Sequence, residues 1–394
     1  MTAPTRFAAR FDPARIADLR RRLSETIWPQ ELNHGEADAW DYGVPQAYLR
    51  DLLAYWAEGF DWDAAERFFN RFDQYTIDID GLTTHFVHVR SPHPEARPLL
   101  MMHGWPGSVF EFWEAIPRLT DPVAHGGDAA DAFHVVCPSL PGYGYSEPAR
   151  HRGMGPRAIA ARHDALMQAL GYARYVVQGG DWGALVARFM PEVCPDSLIG
   201  VHYNLVMPTP PAGVDDSENL LTEAERAALE QARARDFSVS GYSHEQGTRP
   251  QTLAYALSDS PAGLAAWIAE KFFAWTDDAA PFLDGPGRDW LLCNISLYWM
   301  TRSIGSSIRL YREYFDAVFA GQGPQVPCPP VPTGITDYPA EIWRSPRSWA
   351  TREYHLVHWN AAPRGGHFAA LEVPDVFAQE LQAFGRTLRD ITTN

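Results

Sequence analysis

The spacing of apolar residues changes along the chain, and each change predicts a different kind of element. In "DPARIADLRRRLSE", Ile16, Leu19 and Leu23 fall on one helical face. Asp12 stands before them as an N-cap residue, with Pro13 at the first helical position. Leu49, Leu52, Leu53 and Trp56 repeat at helical spacing and predict a second amphipathic helix over 46–57. In "YTIDIDGLTTHFVHV" the pattern switches to two β-rich runs joined by Asp80-Gly81, residues that tolerate the positive φ of a tight hairpin turn.

Beyond the hairpin come short, continuous apolar runs at 98–102, 133–139, 174–179 and 198–204. Continuous rather than alternating apolarity marks strands covered on both faces, hence a mostly parallel sheet between helices. From about 206 to 320 the alternation stops and the chain reads as helices, among them "PAGLAAWIAEKFFAW" and "DWLLCNISLYWMTRSIGSSIRLYREYF". The strand pattern returns at "QVPCPPVPTGI" and "YHLVHWN", and "DVFAQELQAFGRTLRDI" closes as a helix. A helical insertion in such a sheet reads as a cap over a site at the carboxyl ends of the strands. The expected organisation is an N-terminal region 1–80, the first part of an α/β core 81–205, a helical cap 206–320 and the second part of the core 321–394.

Composition narrows the function. A formal charge of −16 with no basic run argues against a nucleic-acid partner. Cys137, Cys194, Cys293 and Cys328 lie far apart and form no CxxC pair, so neither a metal site nor a compact disulfide framework is expected. The start, "MTAPTRFAARFDPARI", lacks the apolar core of a signal peptide, and no apolar run is long enough to span a bilayer. The expectation is a soluble, cytoplasmic protein without a membrane anchor. The 14 Trp and 16 Tyr suit a thick core or a large apolar pocket.

Candidate chemistry begins at "GGDWG" (179–183), between a strand-like run and a helix-like run. That is where many hydrolases hold a serine nucleophile on a sharp turn, and here the central residue is Asp181. Asp is also an ordinary helix N-cap, so its company has to decide. "HGWPGS" (103–108) follows the strand "PLLMM" and can aim the Trp105 N–H at the Asp181 carboxylate, with the Trp182 N–H as a second oxyanion donor. "RGGHF" sets His367 after the last strand and before the last helix, the place of the base in the order nucleophile, acid, histidine. "DYPAEIW" offers two acids to orient that imidazole, Asp337 and Glu341.

A carboxylate at this turn implies substitution at saturated carbon. Serine attacking an alkyl electrophile would leave an ether, which water does not readily cleave. A carboxylate leaves an ester, which a His-activated water hydrolyses with help from the oxyanion hole. Epoxides and alkyl halides are the fitting electrophiles. An epoxide oxygen needs a proton donor as it leaves, and tyrosine, with an ordinary pKa of about 10, can serve. Tyr242 in "SGYSHEQ" and Tyr311 in "SSIRLYREYF" lie in the cap, where core or surface roles fit them equally well.

With these residues assembled, the chain resembles the microsomal-type epoxide hydrolases, the branch that includes juvenile hormone epoxide hydrolases, on an α/β-hydrolase fold. The resemblance runs through "RLSETIWP", "HGWPGSVFEFWEAIPRL", "FHVVCPSLPGYGYS", "GGDWG" and "SDSPAGLAAWIAEKFFAWTD". It implies Asp181 as nucleophile, His367 as base, Glu341 ahead of Asp337 as acid, and Tyr242 with Tyr311 as donors to the epoxide oxygen. Trp105 and Trp182 would supply the backbone donors. It further implies a small-molecule epoxide as substrate, no cofactor, no metal, and detoxification as the setting. Two rivals stand beside it: a haloalkane dehalogenase using the same Asp181, and a non-enzymatic binding protein on the same fold. Oligomeric state stays open, a homodimer included.

Overall fold

The computed structural model describes residues 3–32, 40–207, 209–279 and 285–393. Its strands are β1 (Thr5–Phe7), β2 (Gln74–Ile79), β3 (Leu82–Val89), β4 (Arg97–Met102), β5 (Phe133–Pro138), β6 (Tyr175–Gly179), β7 (Leu198–Tyr203), β8 (Thr333–Asp337) and β9 (Leu356–Ala361). They form a single sheet in the order β1-β2-β3-β5-β4-β6-β7-β8-β9. Pairing is antiparallel from β1 through β3 to β5, and parallel from β5 to β9. This is the mostly parallel α/β sheet that the strand and helix pattern predicts, and the α/β-hydrolase fold that the resemblance implies.

The order of the strands places the site. The chain passes from β4 outward to β5, then returns to lay β6 on the other side of β4. The loops that leave β4 and β6 therefore emerge side by side, with Met102 paired to Gly179 at the carboxyl ends. Such a reversal leaves a crevice at the strand ends, where open α/β sheets take their ligands. "HGWPGS" leaves β4 into this crevice, and "GGDWG" leaves β6 into it.

All five residues of β6 and the last four of β4 are buried, as strands sandwiched between helices should be. The helix Asp181–Val193 packs on β6 and on the helix Pro156–Ala169, while Pro374–Thr393 packs on β7, β9 and Ala115–Thr120. At the β2–β3 turn Asp80 and Gly81 have φ of 48° and 74°, the two positive values that the Asp-Gly pair predicts.

Three local features differ from the sequence expectation. A short strand, β1, adds an edge that three residues without alternation do not announce. The second helix runs as α-helix over Gln46–Ala54 and then widens into a π-turn at Tyr55–Gly59. "QVPCPPVPTGI" supplies a strand only at Thr333–Asp337, because its prolines offer no N–H to a neighbour.

Between β7 and β8 the regular elements among the described residues are all helices, including Gly241–Thr248, Pro261–Trp275, Gly285–Thr301 and Ile304–Phe319. One continuous apolar core joins Leu19 and Trp56 of the N-terminal segment to Ile268 and Ile308 above the sheet and to Phe384 of the last helix. Trp56 is fully buried, and its Nε1–H donates to Ser296 Oγ at 2.9 Å on the helix Gly285–Thr301. The N-terminal segment thus braces a helix that reaches the site. No described helix is long and apolar enough to cross a membrane.

Candidate active site

Asp181 is the first residue of its helix and holds φ of 46°, in the left-handed region that a side chain enters at a cost. Close packing keeps it there. A Cβ on Gly183 would lie 2.0 Å from Met102 O, and one on Gly104 would lie 2.0 Å from Asp181 Oδ1. Only glycines let the two loops meet at this distance. The Trp105 N–H donates to Asp181 Oδ1 at 2.7 Å. Among the described contacts it is the one backbone donor to that oxygen; the Trp182 N–H, in the first turn of the helix, makes no hydrogen bond to the resting carboxylate.

The Trp105 loop is held from above and below. From the helix Gly285–Thr301, Asn294 Nδ2–H donates to Pro106 O at 2.7 Å and the Tyr298 hydroxyl donates to Gly107 O at 2.8 Å. Ser108 Oγ–H donates to Asn294 Oδ1 at 3.0 Å. Beneath the loop, buried His103 accepts the Leu140 N–H at Nε2, so Nδ1 carries the hydrogen and donates to Gly104 O at 3.0 Å. Burial pushes the His103 pKa down to about 4, which keeps the ring neutral and this wiring intact. The histidine of "HGWPGS" is thus a brace for the loop.

His367 stands on the other oxygen. Its Nε2 is 3.3 Å from Asp181 Oδ2, and its Nδ1–H donates to Glu341 Oε1 at 2.7 Å. The His367 backbone N–H donates to Trp275 O at 2.9 Å, which ties the loop to the helix Pro261–Trp275. Glu341 Oε1 also accepts the Ile342 N–H at 2.6 Å, while Oε2 is buried without a partner among the described residues. Asp337 is taken by Arg344, whose Nε and Nη2 donate to its two oxygens at 2.7 Å each. Of the two acids that the sequence offers, the structure brings Glu341 to the imidazole and sends Asp337 elsewhere.

Burial works against charge on His367, yet Glu341 and Asp181 outweigh it and hold the imidazole pKa well above its usual value. At neutral pH the resting ring is a cation between two carboxylates. Neutralising Asp181 would remove one of them and lower that pKa, which would favour release of the proton.

Tyr242 and Tyr311 meet over this arrangement from two different helices. Their ring centroids are 5.9 Å apart, Tyr242 stacks on Trp105 at 5.5 Å, and Tyr311 meets Trp182 edge-on at 4.6 Å. Burial raises both tyrosine pKa values, and the Asp181 charge raises them further. Both hydroxyls therefore keep their protons and can donate. The Tyr311 hydroxyl is buried with no hydrogen-bond partner among the described residues. Trp275 closes one side, 5.0 Å from both Tyr242 and His367.

The sequence reading passed over Asn294 and Tyr298, which no local pattern separates from ordinary helix residues. It also passed over Glu111, the one carboxylate in the apolar turn "SVFEFW", whose isolation there was a usable signal.

Comparison with known proteins agrees with the fold. A family model described as epoxide hydrolase N terminus matches residues 4–112, and one described as alpha/beta hydrolase fold matches residues 97–213. A Stigmatella aurantiaca protein whose name includes the words epoxide hydrolase is 46% identical over 377 residues, 95% of this chain and 83% of that one. Epoxide hydrolase 1 of Oryctolagus cuniculus is 38% identical over 94% of this chain and 86% of its own length. The crystal structure of juvenile hormone epoxide hydrolase from Bombyx mori superposes with a TM-score of 0.89 at 33% identity, covering 100% of this chain and 96% of that one. The chain belongs to the epoxide hydrolase family of α/β-hydrolases and is an enzyme of the hydrolase class.

Proposed function

We propose that the protein adds water to an apolar epoxide through a covalent ester on Asp181 and releases a vicinal diol. The observation that carries this reading is the placing of the Asp181 carboxylate. One oxygen accepts the Trp105 N–H and the other faces His367, beneath two tyrosine hydroxyls that retain their protons.

Oδ1 is held by the Trp105 N–H and stays behind as the carbonyl oxygen. Oδ2 attacks a ring carbon, the carbon–oxygen bond of the epoxide breaks, and the departing oxygen takes a proton from Tyr242 or Tyr311. Asp181 is now a neutral ester, so His367 loses one of the two carboxylates that kept it charged and passes its proton to the tyrosinate, which restores the hydroxyl. Water then transfers a proton to His367 Nε2 while its oxygen adds to the ester carbonyl carbon. Negative charge gathers on Oδ1, where the Trp105 N–H already points, and the Trp182 N–H would serve as the second donor. Collapse breaks the bond to the alkyl oxygen, which takes the proton from His367. The proton left on the Asp181 carboxyl returns to His367 Nε2, 3.3 Å from Oδ2, and restores the resting carboxylate and cation. Glu341 keeps the imidazole oriented and steadies its cation throughout.

The aromatic walls formed by Trp105, Trp182 and Trp275 favour an apolar epoxide. The reading is tested by a single turnover in 18O-labelled water with enzyme in excess over styrene oxide. The first diol should carry unlabelled oxygen, taken from Asp181, and the label should appear on the peptide containing Asp181. Label in the diol at the first turnover would mean direct attack by water and would overturn the ester mechanism.

A further inference from the structure

A small cavity lies against Asp181. It has a volume of about 20 Å³ and is bordered by Asp181, His367, Glu111, Gln178 and Asn204. Neither Tyr242 nor Tyr311 borders it, so it is set apart from the hydroxyls assigned to the epoxide oxygen. That volume suits one water molecule and excludes an organic substrate. A buried water also needs polar partners, usually two to four of them, and the walls supply these.

Gln178 is the telling residue. It sits on β6 with its side chain buried, and its Nε2–H donates to Asn204 Oδ1 at 2.7 Å. That bond fixes the amide, so the carbonyl Oε1 is turned elsewhere, and it is buried without a partner among the described residues. An amide oxygen left in this way is destabilising unless something donates to it. Glu111 comes from the turn Val109–Phe112, behind the Trp105 loop, and a Cβ on Gly107 would lie 2.2 Å from its Oε2.

We propose that Glu111 and Gln178 hold the water that hydrolyses the Asp181 ester, as a positioning pair behind the nucleophile. The proposal rests on the covalent reading above. The water gives one hydrogen to Gln178 Oε1 and the other to His367 Nε2, which removes it as the oxygen adds to the ester carbonyl carbon. The proton and the electron pair travel as already described, and Glu111 neither gains nor loses a proton in the step. Burial pushes the Glu111 carboxyl up to about 8, against the pull of the His367 charge and the Ser108 N–H, and with help from the Asp181 charge. At neutral pH it is protonated. It contributes a hydroxyl and a carbonyl that can hold the water, without a second negative charge beside the carboxylate that must attack.

The two half-reactions separate the pair from the rest of the site. Glu111→Leu and Gln178→Met each remove the polar group at nearly constant size. Mixed with excess styrene oxide and followed by rapid-quench mass spectrometry, both should form the ester at the wild-type rate. Hydrolysis should then slow about 10-fold to 100-fold, the scale set by losing the placement of a reactant. Glu111→Gln, which retains a neutral polar group of the same shape, should recover most of the hydrolysis rate.

Ester decay at the wild-type rate in both variants would overturn the pairing and leave the covalent mechanism standing. Equal slowing of formation and decay, or failure of both variants to fold, would make the pair structural and overturn it as well. Absence of ester in every variant, His367→Gln included, would instead remove the covalent reading on which the pairing rests.

Discussion

Replacing His367 by Gln should give an enzyme that reacts once and stops. In the mechanism proposed above, attack on the epoxide needs the Asp181 carboxylate, the Trp105 N–H on Oδ1 and a tyrosine proton, and none of these is lost with the imidazole. Hydrolysis needs a base at Nε2, 3.3 Å from Oδ2, and His367 is the group that stands there. Loss of a positioned general base slows its step by about 10²-fold to 10⁴-fold, so the ester should persist for minutes to hours and accumulate to one per chain. Intact mass spectrometry checks this directly. With an epoxide the protein should gain the mass of the whole reagent, because the departing oxygen stays attached. A gain of only an alkyl group from a haloalkane, with no gain from any epoxide, would move the protein to dehalogenase chemistry. The fold should survive the change, because Glu341 Oε1 keeps the Ile342 N–H and the His367 backbone bond to Trp275 O is independent of the side chain.

Asp181 and His367 were legible because their positions follow from the sheet. A strand followed by glycines and a helix is a local signal, and the crevice that these residues share comes from the order of β4, β5 and β6. The acid was not legible in the same way. Asp337 and Glu341 sit four residues apart in one loop with the same charge, and nothing nearby in sequence ranks them. Three-dimensional pairing separates them: Arg344 curls back onto Asp337 and leaves Glu341 for the imidazole.

The tyrosines mark a further limit. Tyr242 and Tyr311 belong to helices whose pattern says only that one face is buried, and what sets them apart is their meeting against Trp105 and Trp182. Family resemblance singled them out; periodicity did not. Gln178 is more hidden still. In the run "RYVVQG" it reads as the polar end of a buried strand, and only the fixed bond to Asn204 reveals that its oxygen is left over.

Removing both hydroxyls with Tyr242→Phe and Tyr311→Phe should stop ring opening while leaving the nucleophile intact. An alkoxide is a poor leaving group, and without a donor its charge would develop among aromatic walls. Each single change should lower the rate of ester formation about 10²-fold, and the pair together should lower it about 10⁴-fold, the range for a positioned proton donor. The rings remain, so the stacking on Trp105 and the edge contact with Trp182 are kept. Stability gives the change a second, opposite signature. The Tyr311 hydroxyl is buried with no partner among the described residues, and an unsatisfied buried hydroxyl costs about 1–3 kcal/mol. Tyr311→Phe should therefore melt at the same temperature as the parent or slightly above it, while losing most of its activity. Thermal unfolding and rapid-quench alkylation, measured on the same preparation, check both halves. A lower melting temperature with activity retained would make the hydroxyl a structural group. Unchanged alkylation by epoxides in the double variant would remove the tyrosines from the mechanism. The expected pairing of lost activity with kept or increased stability is what a hydroxyl reserved for the substrate produces, since its partner arrives only with the epoxide oxygen.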